Sequence, residues 1–200
     1  MSEPSPQELM ESAWAARRRA WDLPESERRS ALAAVRSDLE RASELLRRAR
    51  SGGSTDTAVA YAHSLHLRAH VEWDAEALDE AERLWSEAVG VLRAFNAPLQ
   101  LAHKLRHLGD LHVGRQRFDE AEPYYEEALE IYRAQASADS LDMANALRRM
   151  ALLREATHSG GLALPLWREA RALYAQVGLP AGVQEADEHI AQLQFPGRSR

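Results

Sequence analysis

Three of the eight histidines in this 200-residue chain fall in one short stretch, "HSLHLRAH", as His63, His66 and His70. On a helix, imidazoles at i and i+4 share a face and can chelate one ion. His66 with His70 makes one such pair, and His103 with His107 in "HKLRH" makes another. These four are the candidate ligands for a divalent transition metal, with the Asp110 carboxylate in reach of the second pair. His107 and Asp110, at i and i+3, also have the spacing of an imidazole oriented for acid–base chemistry, with His66 or His70 as the second group.

Both readings meet opposition in the sequence. "HLRAH" lacks the glutamate that makes HExxH a hydrolytic motif, and Lys104 and Arg106 put positive charge beside any cation held by "HKLRH". The chain has no cysteine, no G-x-S-x-G and no glycine-rich phosphate loop followed by Lys-Ser/Thr; "SGG" at 51–53 reads as a helix stop. No catalytic residue and no cofactor are therefore assigned. A metal site or a groove-centred His/Asp enzyme stands as the alternative to a binding function.

The elements that must hold these residues repeat along the chain. "AERLWSEAVGVL" from Ala81, "AEPYYEEALEIY" from Ala121 and "ALPLWREARALY" from Ala163 align at spacings of 40 and 42 residues. Each places an aromatic (Trp85, Tyr125, Trp167) between two alanines, at +4 and +7 from the first. That is one helical stripe on which small residues admit a neighbouring helix around a ring. Upstream of each lies a second helix in which Leu65, Leu105 and Leu147 align, as do Ala69, Gly109 and Ala151. A mid-helix glycine costs about 1 kcal/mol relative to alanine, so Gly109 points to close packing.

Two helices per repeat, joined by turns such as "GRQRFDEA", resemble tetratricopeptide repeats over about residues 58–176. The match is fullest in "LAHKLRHLGDLHVGRQRFDEAEPYYEEALEIY", where Leu105, Leu108, Gly109, Ala121, Tyr125 and Ala128 fall at the signature spacing. Where the family usually has a large residue late in the first helix, this chain has Glu72, His112 and Arg154. The expected fold is an all-α, right-handed α-solenoid of three TPR-like helix pairs over residues 54–177. An N-terminal helical hairpin (1–53) precedes it, with Asp22 or Ser26 capping its second helix. A C-terminal capping helix and tail (178–200) follow, with residues 1–5 and 196–200 disordered.

The resemblance implies a concave groove lined by one stripe of the first helices, the place where that family binds peptides or other ligands. The stripe reads His63, His66, His70 and Trp73, then His103, Arg106, Asp110 and Val113, then Asn145, Arg148, Leu152 and Glu155, with His107 beside it. The candidate ligand-binding residues are thus His63, His66, His70, Trp73, His103, Arg106, His107, Asp110, Asn145 and Arg148. Guanidiniums grip carboxylate or phosphate, and Trp73 offers an apolar wall, so the expected partner is a peptide segment of another protein or a small anionic ligand. The plain alternative is a polar, solvated helix side. Self-association through Trp14 and Trp21, or through an open solenoid end, is a further expectation. His112 reads as a partly buried core residue.

Composition narrows the classes. Residues 1–50 carry ten arginines against nine acids, and residues 51–200 carry fifteen basic residues against twenty-two acids. An acidic body argues against a nucleic-acid binder driven by phosphate contacts. No apolar run approaches the roughly 18 residues of a membrane span, and the N-terminus lacks the apolar segment of a secretory signal. A soluble cytoplasmic scaffold is the expectation.

Overall fold

The computed structural model describes residues 3–135 and 139–195. The expected disorder of residues 1, 2 and 196–200 concerns positions outside these. Ser5, by contrast, is ordered: its hydroxyl accepts from the Glu8 amide while Glu8 accepts from the Ser5 amide, a reciprocal N-terminal box. Every regular element among the described residues is helical. In order these are α1 (Pro6–Ala20), α2 (Glu25–Ala49), a 3₁₀ turn (Arg50–Gly52), α3 (Thr55–Asp74), α4 (Leu78–Ala94), α5 (Pro98–Gly114), α6 (Phe118–Ala134), α7 (Ser140–Ala156), α8 (Gly160–Gln176) and α9 (Pro180–Gln194). None of them is long and apolar enough to cross a membrane.

The start of α2 departs from expectation. Neither Asp22 nor Ser26 caps it; the helix begins directly after Pro24, whose carbonyl accepts from the Glu27 and Arg28 amides. Pro24 occupies the N-cap with an extended ψ of 150° and has no side-chain acceptor, while Glu25 and Glu27 complement the helix dipole in the first turn. The stop at "SGG" is as read: the chain leaves α2 through the 3₁₀ turn and Gly53 in the left-handed region, φ 78°.

The turns carry the repeat too. Glu76, Gln116 and His158 have φ of 59°, 58° and 56°, at the same spacing as the aligned helices. After each, the next amide reaches back five residues: Ala77 to the Glu72 carbonyl, Arg117 to His112, Ser159 to Arg154. This is the Schellman closure, which satisfies carbonyls that a helix end would otherwise orphan. Asn96 and Gly178 close α4 and α8 in the same way.

Contacts divide the chain into two compact units, residues 1–104 and 105–200, with the boundary inside α5. In the first, α1, α2, α3 and α4 pack in succession around Leu39, Ala62, Leu65, Ala69, Leu84 and Trp85. In the second, α6, α7, α8 and α9 do the same around Tyr125, Leu147, Ala151, Trp167 and Tyr174. The Ala–aromatic–Ala stripes are fully buried in both. Gly109 packs as its position demands: a Cβ there would stand 2.7 Å from Tyr125 Cδ1. Gly182 makes the same close approach to Tyr174.

The departures at Glu72, His112 and Arg154 are each tied to a neighbouring helix. Glu72 receives both arms of Arg36, at 2.6 and 2.7 Å. His112, only 2% exposed, stacks on Tyr124 with centroids 5.2 Å apart and an interplanar angle of 10°. It is more deeply buried than its sequence position suggested. Arg154 pairs with Glu122 and Glu126. Ion pairs thus compensate Glu72 and Arg154 where the repeat pattern usually has apolar bulk, while His112 is held by its ring stacking and by Glu120, 3.5 Å from its Nδ1.

Candidate functional site

In the first unit, α3 brings His63, His66, His70 and Trp73 to one side, and the first turns of α5 supply His103. His66 is the centre of this group. Its ring lies 6.2 Å from His63, 4.5 Å from His70 and 5.3 Å from His103, centroid to centroid. Beneath it, Trp85 of α4 donates from Nε1 to His66 Nδ1 at 2.9 Å. Trp73 packs edge-on to Trp85 at 5.6 Å, and Trp14 of α1 approaches His70 at 5.5 Å. The stripe is enclosed unevenly: His66 is 6% exposed, His70 and Trp73 are partly buried, and His63 at the helix's earlier turn keeps one side in solvent. The His63 pKa is drawn down to about 4, chiefly by loss of surrounding water and then by the charges of Lys104 and His103. His63 is therefore neutral near pH 7.

The Trp85 bond fixes the chemistry of His66. An imidazole nitrogen that accepts a hydrogen bond is unprotonated, so in the neutral ring the proton sits on Nε2. A metal at Nε2 would require that proton to leave or to move into the path of the Trp85 N–H. His66 is thus held as a donor, which opposes its use as a ligand.

In the second unit, α5, α7 and α9 carry a polar ladder. Asp110 accepts from Tyr125 Oη at 2.8 Å and lies 3.2 Å from Arg149 Nε and 3.4 Å from an Arg106 nitrogen. Arg106, 8% exposed, also directs its other terminal nitrogen to His107 Nε2 at 3.1 Å. His107 Nδ1 stands 3.7 Å from Asp110. A guanidinium only donates, so His107 Nε2 is its acceptor and the ring proton is on Nδ1, facing the carboxylate. The lone pair that an acid–base mechanism or a metal would need is engaged by Arg106. Further along, Tyr174 Oη donates to Asn145 Oδ1 at 2.9 Å, and Arg148 makes a bidentate pair with Glu185 at 2.7 and 2.5 Å. That pair lowers the Glu185 pKa and raises that of Arg148, each mainly through the shared hydrogen bonds. The Tyr125 and Tyr174 hydroxyls are pushed up, first by burial.

One relation recurs in both units. The signature aromatic of each second helix sends its polar tip to the stripe: Trp85 to His66, Tyr125 to Asp110, and Trp167 Nε1 to Glu155 Oε1 at 2.5 Å. Glu155 also meets His189 Nδ1 at 3.0 Å, and His189 stacks on Trp167. A buried Trp or Tyr needs a partner for its N–H or O–H, and the stripe supplies it. Sequence reading placed His66, Asp110 and Glu155 on the stripe but missed this role. It also missed Arg149 and Glu185, which enter the ladder from positions that alignment of the first helices does not single out. The aligned polar-tipped aromatics one helix later were the signal available for the first omission.

The repeat geometry agrees with comparison to known proteins. A family model described as tetratricopeptide repeat matches residues 60–134 and 100–176, more than half of the chain. No curated protein matches the sequence. Among solved structures, the apo form of RapI is 12% identical with a TM-score of 0.70, over 86% of this chain and 43% of that one. Aspartyl phosphate phosphatase F from Bacillus subtilis is 13% identical with a TM-score of 0.72, over 92% and 46%. The nearly identical TPR-like repeats of a kinesin light chain-type protein from Podosopora anserina are 14% identical with a TM-score of 0.67, over 96% of each chain. At such identities the likeness speaks for the fold alone, and the chain spans less than half the length of the first two. The helix pairs, their Ala–aromatic–Ala packing and the matched family model together make this an all-α, α-solenoid-class protein. The chain belongs to the tetratricopeptide-repeat family.

Proposed function

We propose that the chain is an interaction module that recognises a peptide segment of a partner protein with the stripe side chains of its first helices. The residues assigned to contact are His63, His66, His70, Trp73, His103, Arg106, His107, Asp110, Asn145 and Arg148. The observation that carries the reading is the fixing of these side chains before any ligand arrives. Asp110 is set by Tyr125 and Arg149, Asn145 by Tyr174, and Arg148 by Glu185. Groups already ordered in the free protein lose little freedom on binding, which is how preorganisation strengthens recognition.

The internal pairing also selects among ligands. Arg106 and Arg148 already face Asp110 and Glu185, so a small free anion must compete with a carboxylate at each. A peptide can instead use the remaining hydrogen-bonding capacity of the pairs and the apolar face of Trp73. The peptide reading is accordingly preferred to the small anion. The same engagement of imidazole lone pairs at His66 and His107 weighs against the metal and acid–base alternatives.

Selection from a displayed peptide library, followed by calorimetry on the selected peptide, tests this. Alanine at Arg148 together with His103 is expected to weaken binding at least about tenfold, equivalent to 1.4 kcal/mol. Unchanged affinity in that variant refutes the assignment.

A further inference from the structure

A cavity of about 760 Å³ lies within the first unit, between the beginning of α1, the end of α2 and the first half of α3. Its apolar wall is made by Pro6, Met10, Trp14, Leu46, Val59 and Leu67. Among its remaining lining residues are two exposed carboxylates, Glu11 and Asp56, and the imidazoles of His63 and His66. Glu11 is steadied within α1 by Gln7 Nε2, which donates to it at 2.9 Å. None of the described lining residues is Lys or Arg.

The size falls in the range of roughly 300–1,000 Å³ typical of small-molecule sites, and an apolar body with a few converging polar groups is what such sites require. The formal charge of the lining side chains has one sign. His63 is neutral near pH 7, and two cations that act on wall residues do so from outside the lining. Lys104 acts on His63 from α5, and Arg17, which lies over the Trp14 ring, is neutralised by Asp74 at 2.6 and 2.9 Å. An anion entering here meets Glu11 and Asp56; a cation meets its complement.

We propose that this cavity binds a small amphipathic cation, an aromatic or aliphatic body carrying one protonated amine. The body packs against Met10, Trp14 and Leu67, and the ammonium pairs with Glu11 and Asp56. The proposal shares His63 and His66 with the peptide-binding reading and otherwise uses different residues and the opposite charge preference.

Three probes that share an indole body on a two-carbon arm and end in a cation, an anion or no charged group test it on the full chain: tryptamine, indole-3-propionate and 3-ethylindole. Tryptamine is expected to bind at least about tenfold more tightly than indole-3-propionate near pH 7.5, with 3-ethylindole between them. The Glu11→Gln, Asp56→Asn double variant, altering two exposed side chains, brings the three to within about twofold. Ala60→Trp fills the cavity and removes binding of all three. Should that variant fail to fold, the Met10 methyl resonance of the unaltered protein decides, since tryptamine must shift it. Equal or reversed affinities, a preference that survives the double variant, or an unmoved Met10 overturns the proposal. A peptide that depends on Arg148 while tryptamine leaves Met10 unmoved sinks the cavity alone; the converse sinks only the peptide reading.

Discussion

Trp85 Nε1 and His66 Nδ1 are 2.9 Å apart, and this one hydrogen bond joins a fully buried core residue to the centre of the imidazole group. Removing the acceptor strands a buried N–H, which costs about 1–3 kcal/mol, so His66→Leu should lower the free energy of unfolding by at least that much. Removing the donor as well should recover part of the loss. A double-mutant cycle with Trp85→Phe, read by urea denaturation, is expected to show about 1 kcal/mol of coupling or more. Additive losses would mean that the bond contributes nothing.

The same bond sets the response to metal. With Nδ1 engaged, the unaltered protein is expected to bind zinc or nickel no more tightly than millimolar. Trp85→Phe frees the ring to change tautomer and should tighten that binding. Calorimetric titration at pH 7.5 checks both, and tight stoichiometric binding by the unaltered chain would contradict the role assigned to Trp85.

Acid should weaken the first unit through His63. In the unfolded chain this imidazole protonates near its ordinary 6.5, and in the fold only near 4. The folded state therefore binds fewer protons between these values. Stability is intact above the upper one and declines as pH falls through the window. His63→Asn should flatten that part of the stability profile, and Lys104→Met should raise the His63 pKa seen by proton NMR. An unshifted His63 titration near 6.5 would refute the account.

Glycines in this chain are not equivalent. Gly109→Ala gains helix propensity of about 1 kcal/mol but drives a Cβ into the Tyr125 ring, so a net loss of about 1–3 kcal/mol is expected. Gly90→Ala, in α4 with nothing within 4 Å of its added Cβ, should instead gain up to about 1 kcal/mol. Thermal unfolding of the two variants must move in opposite directions.

The Arg36–Glu72 pair should be lopsided under mutation. Glu72 is nearly enclosed, while Arg36 keeps about a third of its side chain in solvent, 9% against 36% exposed. Arg36→Ala leaves a buried carboxylate without its cation, a change that costs about 3–5 kcal/mol. Glu72→Ala lets the guanidinium turn to water and should cost clearly less. Equal losses in denaturation would show that burial of Glu72 does not control the pair.

Much of this architecture was legible from spacing. The offsets of 40 and 42 residues located the helix pairs, because packing a ring between two alanines demands fixed positions on a helix, and Gly109 declared its own close contact. The stripe residues were legible as neighbours on one face, since helical period alone determines that. Their partners were not. Whether Arg148 reaches a ligand or Glu185, and whether His107 meets Arg106 or open solvent, depends on rotamers and on side chains arriving from other helices. Periodicity carries no such information. The cap of α2 was misplaced because Pro24, which has no side-chain acceptor, takes the N-cap position between Asp22 and Ser26.

The bonds from Trp85, Tyr125 and Trp167 sort the stripe into two kinds of position. His66, Asp110 and Glu155 are spoken for, since any replacement must still accept a hydrogen bond from the ring behind it. Other stripe residues make contacts of a different kind: His70 and Trp73 meet the Trp85 ring edge-on, His103 meets the His66 ring, and Arg148 pairs with Glu185. Re-engineering the module toward a new partner therefore has a natural grammar. The first group is its fixed punctuation, and the second is the vocabulary open to rewriting.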